Sequence, residues 1–197
     1  MSAQQMHPSA TAQPTQRRLN IIANGLGNFL FEHWANIITL LLGLLVLSAI
    51  AVPFLSYFGL DTFSKSIFFS LHYVCAQIPS HSFYIFGHQL GLCARNFAIY
   101  TSMFLTSIVF GLSKKRLPGI PWWFFVLLAL PMAWDGITQM FGLRESTWEL
   151  RLLTGMLFGV GSIWFTLPFM QKTLLETTPP VQQVRRVSSS VQPARQA

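Results

Sequence analysis

The stretch Cys75–Tyr100 reads CAQIPSHSFYIFGHQLGLCARNFAIY and lies between two long apolar runs of the chain. It holds both cysteines of the protein, together with His81, His88 and Arg95. The preceding run, from Ile37 to Tyr57, contains no charged side chain, and about 20 such residues cross a bilayer as a helix. The pattern indicates a polar segment at the mouth of a helical membrane bundle, which is where we expect the functional site.

The composition of the chain also indicates a membrane protein. Of its 197 residues, 52% are hydrophobic and only 10% are charged, and the mean hydropathy is +0.47. Soluble domains carry about 25% charged residues. The net charge of +7 is not read as a nucleic-acid-binding signal, because the basic residues lie between apolar spans, as membrane topology requires. The expected partner is therefore the lipid bilayer, with no nucleic acid.

The N-terminal part of the chain is predicted to be a tail followed by a helix on the membrane surface. Residues 1–16 carry no Lys, Arg, Asp or Glu and are rich in Ala, Gln, Ser, Thr and Pro, a composition typical of disorder. From Leu19 to Trp34, apolar side chains recur at roughly helical spacing. This pattern predicts an amphipathic interfacial helix before the first span.

The remaining apolar stretches predict an all-α fold, a four-helix transmembrane bundle within a membrane domain that covers residues 17–173. Its spans are placed at about 36–58, 92–112, 121–141 and 147–170. A short helix that begins at Asp61, and then a loop, are expected between the first two spans. Ser146 and Glu149 form a capping-box pattern at the start of the fourth span. Residues 174–197 are predicted to be a disordered tail.

The distribution of charge predicts the orientation in the membrane. The two tails, the interfacial helix and the turn 114–116 together carry nine of the thirteen basic residues and two of the six acidic ones. The opposite side carries four of each. By the positive-inside rule, the first side is cytoplasmic. We therefore expect a multi-pass protein of the cell membrane (the inner or plasma membrane) with both termini in the cytoplasm.

Several short motifs carry a family resemblance. They are His33-Trp34, Cys75-Ala76-Gln77, Pro79, Ser82-Phe83, Gly87, Leu92-Cys93-Ala94-Arg95 and Ile99-Tyr100. In this pattern the chain resembles an uncharacterised prokaryotic membrane protein family, domain of unknown function 2085, over about Glu32 to Pro168. It departs from the family pattern at Ala76 and Asn96, where a His and a Cys are typical. The resemblance implies a membrane domain and implies no activity.

The two cysteines, Cys75 and Cys93, are a candidate disulfide. They are 18 positions apart, and closing a loop of this size is worth about 3 kcal/mol in the chain-entropy view. The outside of a cell permits the bond. The alternative is a pair of buried free thiols that pack as small apolar groups.

A metal site is the weaker interpretation of the same stretch. Cys75, His81, His88 and Cys93 are the weak candidate ligands, but zinc sites usually pair their ligands at shorter spacings. The other interpretation is that the two histidines are polar residues of an interfacial loop. A haem on His72, His81 or His88 would lack an attachment motif. No cofactor is therefore predicted.

A buried carboxylate defines the second candidate site. Asp135 is the only acidic residue inside a predicted span, where an unpaired charge costs a few kcal/mol. The candidate polar or ligand-binding cluster is Arg95, Tyr100, Asp135, Gln139, Arg144 and Arg151. We expect Asp135 to pair with Arg95, Arg151 or both, with Tyr100 and Gln139 as neutral partners. Such a cluster either fixes helix packing alone or leaves a guanidinium free for an anionic ligand.

Two classes of function follow from these features. One is a ligand-binding, carrier or scaffold protein, with an anionic small ligand or a membrane partner subunit at the outer-face pocket. The other is a membrane-embedded enzyme or a metal or redox protein that uses the same site. Enzymes of this kind show a nucleophile beside a base, or a carboxylate pair, and neither pattern occurs in the sequence. The first class is therefore favoured, and no catalytic residue is assigned.

Overall fold

The computed structural model describes residues 14–113 and 117–177 of the chain. They form five helices, α1 (Pro14–Tyr57), α2 (Asp61–Leu71), α3 (Ala94–Leu112), α4 (Trp122–Met140) and α5 (Trp148–Thr177). A 3₁₀ turn (Pro79–His81) and two strands, β1 (Ser82–Ile85) and β2 (His88–Cys93), lie between α2 and α3. The basic turn at 114–116 and most of the two predicted tails, 1–13 and 178–197, lie outside the described residues.

The chain divides into two compact units, Met1–Trp34 and Ala35–Ala197. In the first unit the rings of Phe29 and His33 stack with their centroids 4.6 Å apart. In the same unit, His33 Nδ1 lies 3.2 Å from the carbonyl oxygen of Phe29. The second unit contains α2, the two strands and the helices that follow them.

Helix α1 differs from the two elements predicted there. The sequence predicted an interfacial helix over 19–34 and a separate span from residue 36, whereas one helix covers 14–57. Gly25 and Gly27 each cost a helix only about 1 kcal/mol. Starting a second helix would require a new nucleation step. No proline interrupts the helix before Pro53, so it continues.

Three helices are long and apolar enough to cross a membrane, and they cover His33–Tyr57, Trp122–Met140 and Trp148–Leu174. Four were predicted. Helix α3 has sufficient length at 19 residues, but it is too polar to count by composition alone. Arg95 and Asn96 lie in its first turn, and its interior carries five hydroxyl side chains. The four-span bundle therefore does not follow from the apolarity of the helices.

The segment before α3 contains a small two-stranded sheet where the sequence predicted a loop, in a fold that is otherwise mostly helical. Strands β1 and β2 pair antiparallel, with Ile85 opposite His88. The two residues between them, Phe86 and Gly87, have φ angles of 53° and 77°, which is the backbone of a tight hairpin turn. The β-forming residues of β1 and the tight turn after it are the sequence signals of this hairpin.

Aromatic contacts hold the hairpin turn against the end of α1. The Phe86 ring stacks on Tyr57 with centroids 4.5 Å apart and meets Phe54 edge-on at 5.5 Å. These contacts compensate for a phenylalanine in a left-handed conformation, which costs about 1 kcal/mol or more. Below the turn, the core consists of Ala49, Val52, Leu71, Cys75 and Leu92.

Helices α3 and α5 approach each other at two glycines of α5. A Cβ at Gly155 would lie 2.7 Å from the Arg95 carbonyl oxygen. A Cβ at Gly159 would lie 2.5 Å from the carbonyl oxygen of Ile99 and 2.0 Å from Ser102 Oγ. Small residues four positions apart allow membrane helices to pack backbone against backbone. This contact fixes α3 against the helix that carries Arg151.

We predict that Gly159→Ala lowers stability by roughly 1–3 kcal/mol, because the new methyl group forces the two backbones apart. The measurement is thermal unfolding in a mild detergent, followed by tryptophan fluorescence. Gly111→Ala is the matched control, since a Cβ there has nothing within 4 Å and alanine favours a helix by about 1 kcal/mol. Equal effects of the two substitutions would contradict the close approach of α3 and α5.

Candidate functional site

Asp135 is at the centre of the candidate site. It lies on α4 with only 1% of its surface exposed. Its carboxylate accepts hydrogen bonds from Arg95 Nη2, from Arg144 Nη2 at 2.8 Å and from Ser146 Oγ at 3.0 Å. Gln139, one turn further along α4, donates from Nε2 at 3.0 Å. Oδ2 accepts three of these bonds and Oδ1 accepts the one from Arg144. The four donors offset the cost of burying the charge.

The turn after α4 brings Arg144 back towards the helix. Gly142 adopts a φ of 65° directly after the helix end, and its N–H donates to the Gln139 carbonyl at 3.0 Å. This is the usual use of glycine at a helix C-terminus. The chain reverses there, so Arg144 also reaches Thr138, with its Nε 3.3 Å from the hydroxyl oxygen. Thr138 was not predicted as a member of the cluster.

Ser146 has a different role from the predicted one. The sequence predicted that it caps α5 in a capping box with Glu149. In the structure its hydroxyl donates to Asp135 instead, and the N–H of Leu150 donates to Thr147 Oγ1 at 3.4 Å. Thr147 is therefore the capping residue. A hydroxyl bond to a buried carboxylate is stronger than one to a backbone amide, which explains the exchange.

Arg151 is buried beside this network without joining it. Only 6% of its surface is exposed, and its Nε has no hydrogen-bond partner. The predicted hydrogen bond between Arg151 and Asp135 is not among the contacts of the described residues. Arg151 lies four residues before Gly155, so it shares the face of α5 that packs on α3. It is coupled electrostatically to Arg95 and Asp135.

Tyr100 packs beside Cys75 in the core, and the hydrogen bonds of the described residues include none between Tyr100 and Asp135. It is five residues after Arg95, which rotates it by about 140° around α3. Its role as a neutral partner of Asp135 stays a prediction. Arg95, Gln139 and Arg144 do meet Asp135.

His81 lies in the 3₁₀ turn, at the edge of this cationic region. Partial burial lowers the pKa of His81 below its ordinary value, and the positive charges of Arg151 and Arg95 lower this pKa further. Glu145 acts in the opposite direction. A neutral imidazole therefore sits beside a group of guanidiniums that carry more positive charge than their one buried carboxylate neutralises.

The two cysteines meet on the other side of the hairpin. The Sγ atoms of Cys75 and Cys93 are 3.1 Å apart, and both cysteines are free thiols. The backbone N–H of Cys93, at the start of α3, points at Cys75 Sγ from 3.2 Å. The Cys93 thiol and these backbone donors lower the pKa of Cys75, against the opposing effect of burial. Thiolates are favoured at helix N-termini for the same reason.

Gln77 connects the elements of this region, and sequence reasoning assigned it no role. It is buried in a left-handed conformation with a φ of 52°. Its Nε2 donates to the carbonyl oxygens of Phe68 at 2.7 Å and Gly91 at 2.9 Å. Its own carbonyl accepts from Gln89 Nε2 at 2.9 Å. One side chain thus links α2 to β2, and the cysteine pair is held beside it.

The weak metal candidates are not brought together. Cys75 and Cys93 touch, but His81 lies near the arginines, whereas His88 lines a separate cavity of about 640 Å³ with Lys65 and His72. Among residues 14–113 and 117–177, no three His, Cys, Asp or Glu side chains are placed to hold one metal ion. The hairpin separates the histidines, because His81 precedes β1 and His88 begins β2.

Comparison with known proteins identifies the family. A family described as "Predicted membrane protein (DUF2085)" matches residues 75–165. The uncharacterized protein MJ1492 of Methanocaldococcus jannaschii is 39% identical over 131 residues, which cover 62% of this chain and 83% of that protein. The chain belongs to the DUF2085 family. An uncharacterized protein of Methanothermobacter thermautotrophicus is 33% identical to this DUF2085 protein over 89 residues, 45% of this chain and 80% of its own length. No solved structure matches the chain.

The region of this DUF2085 protein that matches the family contains the sites described above. Residues 75–165 include both cysteines, Gln77, the buried Asp135 and the three arginines around it. They also include the glycines that join α3 to α5. The family match therefore covers the hairpin and the charged cluster together.

We predict that Asp135→Ala destabilises the protein by about 3–5 kcal/mol, because it leaves Arg95 and Arg144 without their buried counter-charge. Thermal unfolding in detergent is the measurement. Glu149→Ala removes an exposed carboxylate at the start of α5 and should change stability by less than about 0.5 kcal/mol. If Asp135→Ala loses no more stability than the control variant, the carboxylate does not hold the cluster together.

We also predict that the DUF2085 chain forms a Cys75–Cys93 disulfide under mild oxidation, because the two sulfurs already touch. Mass spectrometry should show a loss of two hydrogens, and neither thiol should then react with an alkylating reagent after denaturation. Reduction should lower thermal stability by about 3 kcal/mol or less. The Cys93→Ala variant should be insensitive to oxidant, and full alkylation of both thiols in oxidised wild-type protein would exclude the bond.

Proposed function

We propose that this DUF2085 protein binds an anionic ligand at the cluster around Asp135. The observation that supports the proposal best is Arg151, a buried guanidinium whose Nε has no partner, next to a carboxylate already occupied by four donors. The site presents three guanidiniums to one acid. A ligand with a carboxylate or phosphate group would supply the missing counter-charge.

The energetics favour a ligand over a purely structural network. A buried charge without a partner costs several kcal/mol, and the Nε of Arg151 is buried without a hydrogen-bond partner. Guanidinium binds carboxylate and phosphate with two parallel hydrogen bonds. Arg95 Nε is likewise buried without a partner. Two incompletely satisfied guanidiniums on adjacent helices are the arrangement that an oxyanion completes.

In this proposal α3 crosses the membrane as a fourth span, although it is the most polar of the four helices. Two of its hydroxyl groups bond within the helix, since Ser102 donates to the Ile99 carbonyl oxygen at 2.9 Å and Ser107 to that of Phe104 at 2.8 Å. The hydroxyl of Thr101 is buried without a partner. The glycine face of α5 covers its polar side. Four spans place both termini in the cytoplasm, in agreement with the positive-inside rule, and the arginine cluster then opens on the outer face. A reporter fused after Ala197 that is active only outside the cell would contradict this orientation.

A binding or carrier role is favoured over catalysis at this site. The only carboxylate among the cluster residues accepts four hydrogen bonds. A carboxylate engaged by four donors is not free to act as a general base. The hydroxyl of Ser146 donates to this carboxylate and does not have a histidine as its base. The described arrangement attracts and orients an anion without supplying a nucleophile.

The test uses inorganic phosphate as the probe, at constant ionic strength in a neutral detergent. Phosphate should raise the unfolding temperature of wild-type protein in a saturable manner. Arg151→Lys and Arg95→Lys should weaken the phosphate affinity about tenfold or more, or 1.4 kcal/mol, because an ammonium cannot make the two parallel bonds. Both variants should remain monodisperse.

Lys65→Gln is the matched control, since Lys65 belongs to the separate cavity beside α2. It should leave the phosphate affinity unchanged. A normal affinity in Arg151→Lys would contradict the proposed site, and so would a loss of affinity confined to Lys65→Gln.

A further inference from the structure

A cleft of about 350 Å³ runs along α4, and Arg95 is one of the residues that line it. Its walls are almost entirely apolar, and they include Ala129, Met132, Ala133, Gly136 and Met140. From residue 129 to residue 140 the cleft extends roughly 16 Å along the helix axis. Small side chains at three of these positions keep the cleft open. The only charged residue that lines it is Arg95.

Arg95 presents different nitrogens to its two neighbours. Its Nη2 bonds to Asp135. Its Nη1 is 3.8 Å from the position that a Cβ on Gly136 would occupy, so it lies beside that glycine of the cleft wall. No described residue accepts a hydrogen bond from Nη1.

This arrangement combines a long apolar channel with one cation in its wall. Apolar walls bind an alkyl chain through burial, at about 0.8 kcal/mol per buried CH₂ group. An unpartnered guanidinium nitrogen binds an anionic oxygen. A neutral lipid would leave Nη1 unsatisfied, and a small inorganic anion would leave the cleft unfilled. The cleft therefore fits an occupant that has both features.

We propose that the ligand of this site is a single-chain anionic amphiphile, whose alkyl chain lies in the α4 cleft and whose carboxylate or phosphate group binds Arg95. This inference rests on the proposed anion-binding function and adds the chemical class of the ligand. The headgroup adds a second acceptor to a guanidinium that already holds Asp135. The chain selects against free phosphate, and the charge selects against fatty alcohols.

The experiment measures binding of four probes to the full-length protein in a non-ionic detergent, by native mass spectrometry. The probes are dodecyl phosphate, butyl phosphate, dodecanol and inorganic phosphate. We expect dodecyl phosphate to bind at least about tenfold more tightly than each of the other three, which by affinity arithmetic is a clear separation. Binding of dodecanol at the strength of dodecyl phosphate would overturn the inference, because the cation would then contribute nothing.

Ala133→Phe tests the cleft, since Ala133 is an exposed lining residue and the new ring fills the channel without touching a charged group. This substitution should weaken the affinity for dodecyl phosphate at least about tenfold and leave the affinity for inorganic phosphate unchanged. Val126→Phe adds a ring to an exposed position of α4 that does not line the cleft, and it should change neither affinity. Equal affinity of dodecyl phosphate for wild type and Ala133→Phe would contradict the inference.

The failure of this inference differs from failure of the anion site itself. Suppose that dodecyl and inorganic phosphate bind wild-type protein equally and that Arg151→Lys weakens the affinity for both. The proposed anion site is then supported, and the proposal of an amphiphilic ligand is wrong. If no phosphate probe binds in a manner that depends on Arg95 or Arg151, both proposals fail. The comparison of butyl and dodecyl phosphate on wild-type protein needs no variant, so it decides the role of the cleft even if Ala133→Phe folds poorly.

Discussion

The contact between α3 and the glycines of α5 determines the geometry of the whole site. Gly155 and Gly159 allow the α5 backbone to lie against the carbonyl groups of Arg95 and Ile99. Because Arg151 is one turn before Gly155, the same contact directs its side chain towards α3 and removes it from solvent. A wider separation of the helices would leave room for water, and the arginines would no longer need a counter-charge inside the protein.

The charge balance of the site follows from that packing. One carboxylate, Asp135, holds two guanidiniums, and a third is buried beside them without a bonding partner at its Nε. Proteins seldom bury an arginine in this state unless another group completes it. The excess positive charge also lowers the pKa of His81. The hydrogen bonds to Asp135 therefore hold the helices together, whereas the Nε of Arg151 lacks an acceptor. We propose that a ligand supplies this acceptor.

The hairpin and Gln77 form a second organised region beside the cluster. Gln77 joins α2 to β2 through two carbonyl groups, and the cysteine pair lies next to it. The stacking of Phe86 on Tyr57 fixes the turn of the hairpin to α1. These contacts hold the strand that leads into α3, so they set where the first turn of α3, and with it Arg95, begins.

The sequence by itself determined the class of protein and most members of the cluster. Long uncharged apolar runs indicate membrane helices wherever they fold, because the cost of burying charge in lipid does not depend on tertiary detail. For the same reason Asp135 had to acquire cationic partners, and Arg95 was one of the two expected. Arg144 was expected only as a member of the cluster. The helical periodicity of the sequence also placed α2 and α4 close to their observed bounds.

Only the tertiary structure decided which partners Asp135 receives and how the polar stretch folds. Arg144, which was not expected as a partner, bonds to Asp135, whereas the hydrogen bonds of the described residues include none from Arg151 to it. Ser146, predicted to cap α5, instead donates a hydrogen bond to the carboxylate of Asp135, eleven residues away. The hairpin formed because Phe86 could stack on Tyr57, a contact between residues 29 positions apart in the chain. Local patterns report the face and period of an element, whereas such long-range contacts exist only after the helices have packed.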